Sequence, residues 1–89
     1  ILIDVRTPEE FKSGQAIEAI NIDFYNENFE TDLLKISRNK EIYLYCRSGR
    51  RSGIASQFLI ENGYRNVYNI DGGTIKMDSI YLNSSTFNN

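Results

Sequence analysis

The chain alternates short apolar runs, typical of buried strands, with segments that carry helix signals. Residues 1–5, 19–22, 42–45 and 67–70 are the strand candidates. Because helices between strands connect parallel neighbours, the pattern predicts an α/β fold: a small, mainly parallel sheet flanked by helices on both faces. At 89 residues, the chain suits one domain of this kind.

Three segments between the strand candidates predict helices. Thr7-Pro8-Glu9-Glu10 combines an N-cap, a proline at the first helical position and an acidic residue three places after the cap, and this helix should stop at Gly14. Apolar residues at helical spacing predict a second helix over residues 27–37. The third should run from about 52 to 62, with Gly63 just past its end.

The expected domain covers residues 1–80, with one or two helical turns beyond Thr74, and no repeat or linker divides it. Residues 81–89 are mostly polar, and we expect them to form a frayed tail. The chain begins at Ile1 rather than at a methionine, so we expect a trimmed segment.

The net charge and the hydropathy pattern limit the classes of partner that the chain is expected to bind. A net charge of −2 argues against binding to nucleic acid or anionic membranes. No apolar run has the length of a membrane span, and no signal peptide is visible. We therefore expect a cytoplasmic monomer that binds neither nucleic acid nor membrane.

The chain has no histidine and only one cysteine, Cys46. Cys-His and Ser-His-Asp catalysis within one chain are thereby excluded. An internal disulfide and a multi-thiolate metal site are excluded too, and we expect neither a metal nor a cofactor. Either Cys46 is inert and buried, or something other than a histidine activates it.

The loop Cys46-Arg47-Ser48-Gly49-Arg50-Arg51 joins a predicted strand to a predicted helix. Such a turn directs backbone N–H groups and the positive end of a helix dipole at one point. Arginines in the loop add positive charge to an otherwise acidic chain, so the pKa of a thiol here should be depressed. Cys46 is the candidate nucleophile, and the candidate anion-binding residues are Arg47, Ser48, Gly49, Arg50, Arg51 and Ser52.

Six segments in this order and spacing resemble the rhodanese family: Leu2 to Phe11, Ala19 to Ile22, Cys46 to Ser52, Asn62 to Tyr64, Val67 to Ile70, and Asp71 to Gly73. The resemblance implies a five-stranded or similar parallel sheet and a cysteine that cycles between thiol and persulfide. A small anionic sulfur donor such as thiosulfate would load Cys46. Cyanide, a thiol or a thioredoxin-like protein would then accept the sulfur.

The resemblance also implies roles for residues around Cys46. Arg51 would help to bind the anionic donor, while Arg47 and Arg50 add positive field and the loop amides hold the persulfide. Asp4 and Arg6 follow a strand that the family places beside this loop. They would support it electrostatically, or form a structural ion pair.

Gly72 and Gly73 are expected to shape a turn, near the rim of the loop. Glu10 is expected to act mainly as a helix cap.

Two other functions remain open. Related phosphatases that share the fold carry an arginine six positions after the cysteine, where this chain has Ser52. A phosphatase or arsenate reductase is therefore the less favoured alternative. A catalytically silent, anion-binding regulatory module is the other.

The chain departs from the family pattern after Gly14. Gln15-Ala16-Ile17-Glu18 stands where the family has His-Ile-Pro-Gly, which removes two residues that stiffen a turn. Met77 replaces a usual aromatic residue, and the family's preceding strand and helix are absent from the N-terminus.

Overall fold

A computed structural model describes residues 1–76 of the chain, in which four parallel strands form one sheet in the order β2-β1-β3-β4. The strands are β1 (Leu2–Asp4), β2 (Ile20–Asn21), β3 (Ile42–Tyr45) and β4 (Val67–Asn69). The helices are α1 (Pro8–Ser13), α2 (Phe29–Leu33), α3 (Arg50–Glu61) and α4 (Gly73–Lys76). The predicted α/β class with a small parallel sheet is confirmed. No helix within residues 1–76 is both long and apolar enough to cross a membrane.

One face of the sheet carries the hydrophobic core. Ile3 and Leu44, on the two central strands, pack there with Leu33 of α2 and Leu59 of α3, and all four side chains are 0% exposed. Burial of each such aliphatic side chain stabilises the folded state by about 1.5–3 kcal/mol relative to an exposed one. Because α3 contacts both β3 and β4, it fixes the position of the segment that joins it to β3.

The opposite face is covered in part by the turn after α1. The Tyr45 hydroxyl accepts a hydrogen bond from the Ala16 amide at 2.9 Å, and the Arg6 guanidinium donates to the Gly14 carbonyl. Further along the same face, Tyr43 and Tyr68 stack with ring centroids 5.1 Å apart and remain partly exposed.

Helix α1 forms as its cap predicts. The Glu10 amide donates to the Thr7 hydroxyl, and the Glu10 carboxylate accepts from the Thr7 amide, which completes a capping box. Pro8 occupies the first turn, and the helix ends at Gly14.

Helix α2 is shorter than the predicted 27–37. Its apolar stripe is buried at Phe29 and Leu33 as expected. After Leu33, however, the amides of Lys35 and Ile36 donate to carbonyls three residues back, so the chain continues as tight turns. The N-cap residue Asn28 makes no side-chain hydrogen bond to the helix. No side-chain cap of this kind therefore stabilises the predicted start at residue 27.

Helix α3 begins at Arg50, two residues before the predicted Ser52. Gly49 is its N-cap and adopts a left-handed conformation with φ of 99°. A side chain at Gly49 would be strained there, and a Cβ would lie 3.1 Å from the Gly72 amide nitrogen. The cap without a side chain is the reason that the sequence pattern missed this start.

The sheet order places the end of β3 at a junction. From β1 the chain runs outward to β2 on one side, then crosses to β3 and β4 on the other. Ligands of open parallel sheets bind in the crevice at the carboxyl ends of strands at such a switch point. Cys46 follows β3 at this point, and its loop faces the turn after β4.

The first turn of α4 forms backbone hydrogen bonds to the Cys46 loop. The Thr74 amide donates to the Cys46 carbonyl at 2.9 Å, and the Ile75 amide donates to the Arg47 carbonyl at 3.2 Å. This close approach depends on Gly73, where a Cβ would lie 2.0 Å from the Cys46 carbonyl oxygen. The double glycine therefore shapes a turn against the loop. Met77 and the predicted tail, residues 81–89, lie outside the described residues.

Glu18, in the atypical segment, is the one non-glycine residue among residues 1–76 with positive φ, at 66°. The family pattern has glycine at this position, so the departure leaves a strained backbone. Glu18→Gly should raise the free energy of unfolding by about 1 kcal/mol, because a Cβ in this region costs about that much. Urea denaturation measures the change. Glu27→Gly, exposed and without positive φ, is the control; an equal gain there would contradict the explanation.

Replacement of Gly73 tests the support behind the loop. Gly73→Ala adds a clash with backbone atoms to the cost of its positive φ of 50°. Gly63→Ala, at φ of 90°, adds only a contact with the Arg38 side chain at 3.4 Å. We expect Gly63→Ala to lose about 1–2 kcal/mol of unfolding free energy. Gly73→Ala should lose clearly more and also slow alkylation of Cys46 in the folded protein. Equal losses with unchanged alkylation would show that the support is dispensable.

Candidate active site

The sulfur of Cys46 lies where β3 ends and the turn into α3 begins. The residue is 1% exposed. The Gly49 amide donates to the sulfur at 3.1 Å, and the Ser52 hydroxyl lies 3.5 Å from it. Since Gly49 and Ser52 are the N-cap and third residue of α3, the helix begins directly at the sulfur.

These contacts favour the ionised thiol. Burial raises the pKa of Cys46, but hydrogen bonds from the Ser52 amide and hydroxyl and from the amides of Gly49 and Ser48 more than compensate. The result is a pKa of about 7. A large share of Cys46 is therefore thiolate, the reactive form, at neutral pH.

Arg51 is bound by a carboxylate from α1. Its two terminal nitrogens donate to Glu10 at 2.8 and 3.1 Å, and its guanidinium lies 5.7 Å from the centroid of the Tyr25 ring. The hydrogen bond from Arg51 is the main cause that lowers the pKa of Glu10 to about 2, so the pair persists at physiological pH. Glu10 thus caps its helix, as expected, and also holds Arg51.

Arg47 and Arg50 are exposed on the loop. Neither forms an ion pair with another residue in the part of the chain that the structure describes. Within residues 1–76, no carboxylate neutralises their positive charges.

Asp4, the last residue of β1, forms a buried ion pair with Arg6. The Arg6 guanidinium donates to both carboxylate oxygens of Asp4, at 2.7 Å in the shortest contact, and the side chains are 0% and 5% exposed. The guanidinium also lies 5.7 Å from the centroid of the Tyr45 ring. These contacts tie the end of β1 to β3 and to the turn after α1. A role of the pair in turnover stays a prediction.

Asn69, at the end of β4, is a site residue that the sequence analysis missed. Its side-chain nitrogen donates to the Gly49 carbonyl at 3.2 Å, and its oxygen accepts from the Ser52 hydroxyl at 2.5 Å. The available signal was a polar residue at the carboxyl end of a strand, next to the strand that carries Cys46. The order of the strands was needed to use it.

The loop residues predicted to surround Cys46 thus lie together at one end of the sheet. The assignment of Arg47, Ser48, Gly49, Arg50, Arg51 and Ser52 to anion binding stays a prediction. Among residues 1–76, no group of three or more His, Cys, Asp or Glu side chains could hold a metal ion.

Curated relatives match most of the chain. It is 42% identical over 72 residues to the uncharacterized protein YqhL of Bacillus subtilis, covering 81% of this chain and 56% of that protein. It is 39% identical over 80 residues to a tRNA uridine(34) hydroxylase of Buchnera aphidicola, covering 85% and 26%. A sulfurtransferase of Allochromatium vinosum is 33% identical over 75 residues, covering 84% and 68%. The chain thus spans about half of the first relative and a quarter of the second.

A solved structure described as a rhodanese with anions from E. coli superimposes on this chain with a TM-score of 0.69 at 32% identity. The superposition covers 91% of this chain and 93% of the other. The family model described as rhodanese-like domain matches residues 1–77. The chain therefore belongs to the rhodanese-like domain family.

Proposed function

We propose that the chain is a sulfurtransferase that carries a sulfur atom on Cys46 as a persulfide. The observation that supports this most strongly is the environment of the Cys46 sulfur, which is buried yet receives hydrogen bonds from the start of α3. Backbone amides stabilise a charge on sulfur and supply no proton acceptor, so they suit a thiolate or a persulfide anion. The relative named a sulfurtransferase supports the same chemistry.

In the loading step, the Cys46 thiolate attacks the outer sulfur of a donor such as thiosulfate. The sulfur–sulfur bond of the donor breaks, and sulfite leaves with the bonding electrons. The new bond joins Cys46 to the transferred sulfur, which retains a negative charge.

In the unloading step, a nucleophilic acceptor attacks the outer sulfur of the persulfide. Cyanide would leave as thiocyanate, and a thiolate would leave as its own persulfide. Cys46 departs as the thiolate that began the cycle, so no proton acceptor on the enzyme is needed. The absence of histidine from the chain is compatible with this cycle.

The donor and acceptor we propose follow from the charges around the loop. Exposed Arg47 and Arg50 would attract a small anionic donor, and Arg51, which Glu10 holds in place, would help to bind it. A thiol or a thioredoxin-like protein would accept the sulfur. Neither nucleic acid nor a membrane is a proposed partner, and we propose that the protein acts as a cytoplasmic monomer.

Persulfide formation can be observed directly. After incubation with thiosulfate and removal of the excess, the intact protein should gain the mass of one sulfur atom, and dithiothreitol should remove it. Cys46→Ala should show no gain. Thiocyanate should form when cyanide follows thiosulfate.

Two further assays distinguish the alternatives from sulfur transfer. An unchanged mass with thiosulfate, together with anion binding that survives Cys46→Ser, would favour a silent binding module over transfer from this donor. Cys46-dependent release of p-nitrophenol from p-nitrophenyl phosphate would favour a phosphatase.

Replacement of the exposed arginines tests how the donor is recognised. The double variant Arg47→Ala/Arg50→Ala should raise KM for thiosulfate about tenfold at low ionic strength, with a smaller effect in high salt, because two unpaired cations are lost. Steady-state kinetics with thiosulfate as the varied substrate measure KM at low ionic strength and in high salt. Arg65→Ala, exposed and close to the amino end of β4, should change KM little. An equal KM in the double variant and the wild type would contradict this form of recognition.

A further inference from the structure

The side chain of Asn69 bridges β4 and the Cys46 loop. Its nitrogen lies 3.2 Å from the Gly49 carbonyl oxygen and 3.4 Å from a carboxylate oxygen of Asp71. Its oxygen lies 2.5 Å from the Ser52 hydroxyl, which in turn lies 3.5 Å from the Cys46 sulfur. One amide therefore contacts the helix cap and the hydroxyl that faces the sulfur.

The two acceptors next to the nitrogen determine the orientation of the Asn69 amide. Gly49 and Asp71 both present oxygens, so the NH₂ group must face them and the amide oxygen must face Ser52. If the amide were reversed, its oxygen would face the Gly49 carbonyl oxygen. The two oxygens are both acceptors, so no hydrogen bond could form between them. Asn69 consequently presents an acceptor to Ser52.

The Ser52 hydroxyl has one proton and two acceptors that compete for it. The distance to the Asn69 oxygen is 2.5 Å, whereas the distance to the Cys46 sulfur is 3.5 Å. Ser52 is 0% exposed. While Cys46 is a neutral thiol, the shorter distance favours donation of the hydroxyl proton to the Asn69 oxygen over donation to the sulfur.

On the premise that Cys46 carries sulfur as proposed, we infer that Asn69 is a positioning residue that competes with the Cys46 sulfur for the Ser52 proton and thereby limits stabilisation of the thiolate. When the sulfur becomes charged, the hydroxyl must turn away from Asn69 to donate to it. The amides of Gly49 and Ser48 do not depend on that rotation.

This competition suits a thiol that must both attack and leave. A thiolate that is stabilised too strongly is abundant but a weak nucleophile, and the best attacking thiol has a pKa near the ambient pH. The pKa of Cys46, about 7, lies in that range. The Ser52 hydroxyl contributes to this pKa, and competition from the Asn69 oxygen would weaken that contribution.

Charged groups near the sulfur come from several elements. Arg47 lies on the loop, Arg50 and Arg51 in the first turn of α3, and Glu10 on α1. The turn after β4 adds Asp71, and the buried pair of Asp4 and Arg6 lies at the end of β1. A neutral substitution of Asn69 retains all of these charges, so a changed pH profile would report the hydroxyl rather than a lost ion.

The pH dependence of Cys46 alkylation by iodoacetamide measures both the pKa of the thiol and the reactivity of the thiolate. In Asn69→Ala the midpoint should fall by about one pH unit, because the Asn69 oxygen no longer competes for the hydrogen bond from the Ser52 hydroxyl to the thiolate. The rate at high pH should fall about threefold, because nucleophilicity decreases with pKa. Asn66→Ala, exposed and before β4, is the control and should match the wild type.

The same substitution in Ser52→Ala separates positioning from simple support of the loop. Asn69→Ala should leave the midpoint unchanged in that background, because the hydroxyl through which it acts is absent. If Asn69 only supported the loop through Gly49, its loss would raise the midpoint in both backgrounds, and the proposal would be wrong. An unchanged midpoint in Asn69→Ala with Ser52 present would also overturn it.

One further variant and the choice of assay make the outcome unambiguous. Asn69→Leu, close in shape to asparagine but without the acceptor, should lower the midpoint as Asn69→Ala does and replaces it if the smaller variant fails to fold. Alkylation requires no sulfur donor, so its result stands even if the wild-type mass does not change with thiosulfate. Failure of the proposed transfer and failure of the Asn69 inference are thus observed separately.

Discussion

The hydrogen bonds between α4 and the Cys46 loop govern the geometry of the site. The amides of Thr74 and Ile75 bind the carbonyls of Cys46 and Arg47. Because a trans peptide is planar, a carbonyl held on one side turns the next N–H to the other. The Ser48 amide, which follows the Arg47 carbonyl, is thereby available to the sulfur. The contact requires Gly73 to lack a side chain, so a turn after β4 sets the chemistry at the end of β3.

Around this loop, neutral hydrogen-bond donors stabilise the thiolate, whereas exposed positive charges would attract an anionic donor. Backbone amides and one hydroxyl account for the hydrogen bonds that lower the pKa of Cys46. The guanidinium of Arg51 is held by Glu10, whereas Arg47 and Arg50 are exposed. Activation of the thiol can therefore persist in high salt, where exposed charges are screened. Recognition of an anion by the exposed arginines would instead weaken.

Local patterns predicted most of the fold. The strands, the capping box at Thr7 and the strand–loop–helix around Cys46 are each encoded within a few residues. What the sequence pattern missed depends on tertiary structure. Glu10 meets Arg51 across 41 residues, and Asn69 meets Ser52 across 17, so both contacts require the strand order. The left-handed backbone of Glu18 was also missed, since no local signal favours it at a residue with a side chain.

The residue after the loop bears on the choice between sulfur and phosphate. Related phosphatases carry an arginine where this chain has Ser52, and a guanidinium suits bidentate binding of phosphate oxygens. Here that position is 0% exposed and packed between Cys46 and Asn69, so it offers one hydroxyl. That hydroxyl joins the backbone amides around the sulfur but lacks the paired donors of a guanidinium, so it suits one charged sulfur atom better than the oxygens of a phosphate. The hydroxyl proton that affects the pKa of Cys46 therefore belongs to Ser52. The same position distinguishes this loop from the loop of the phosphatases.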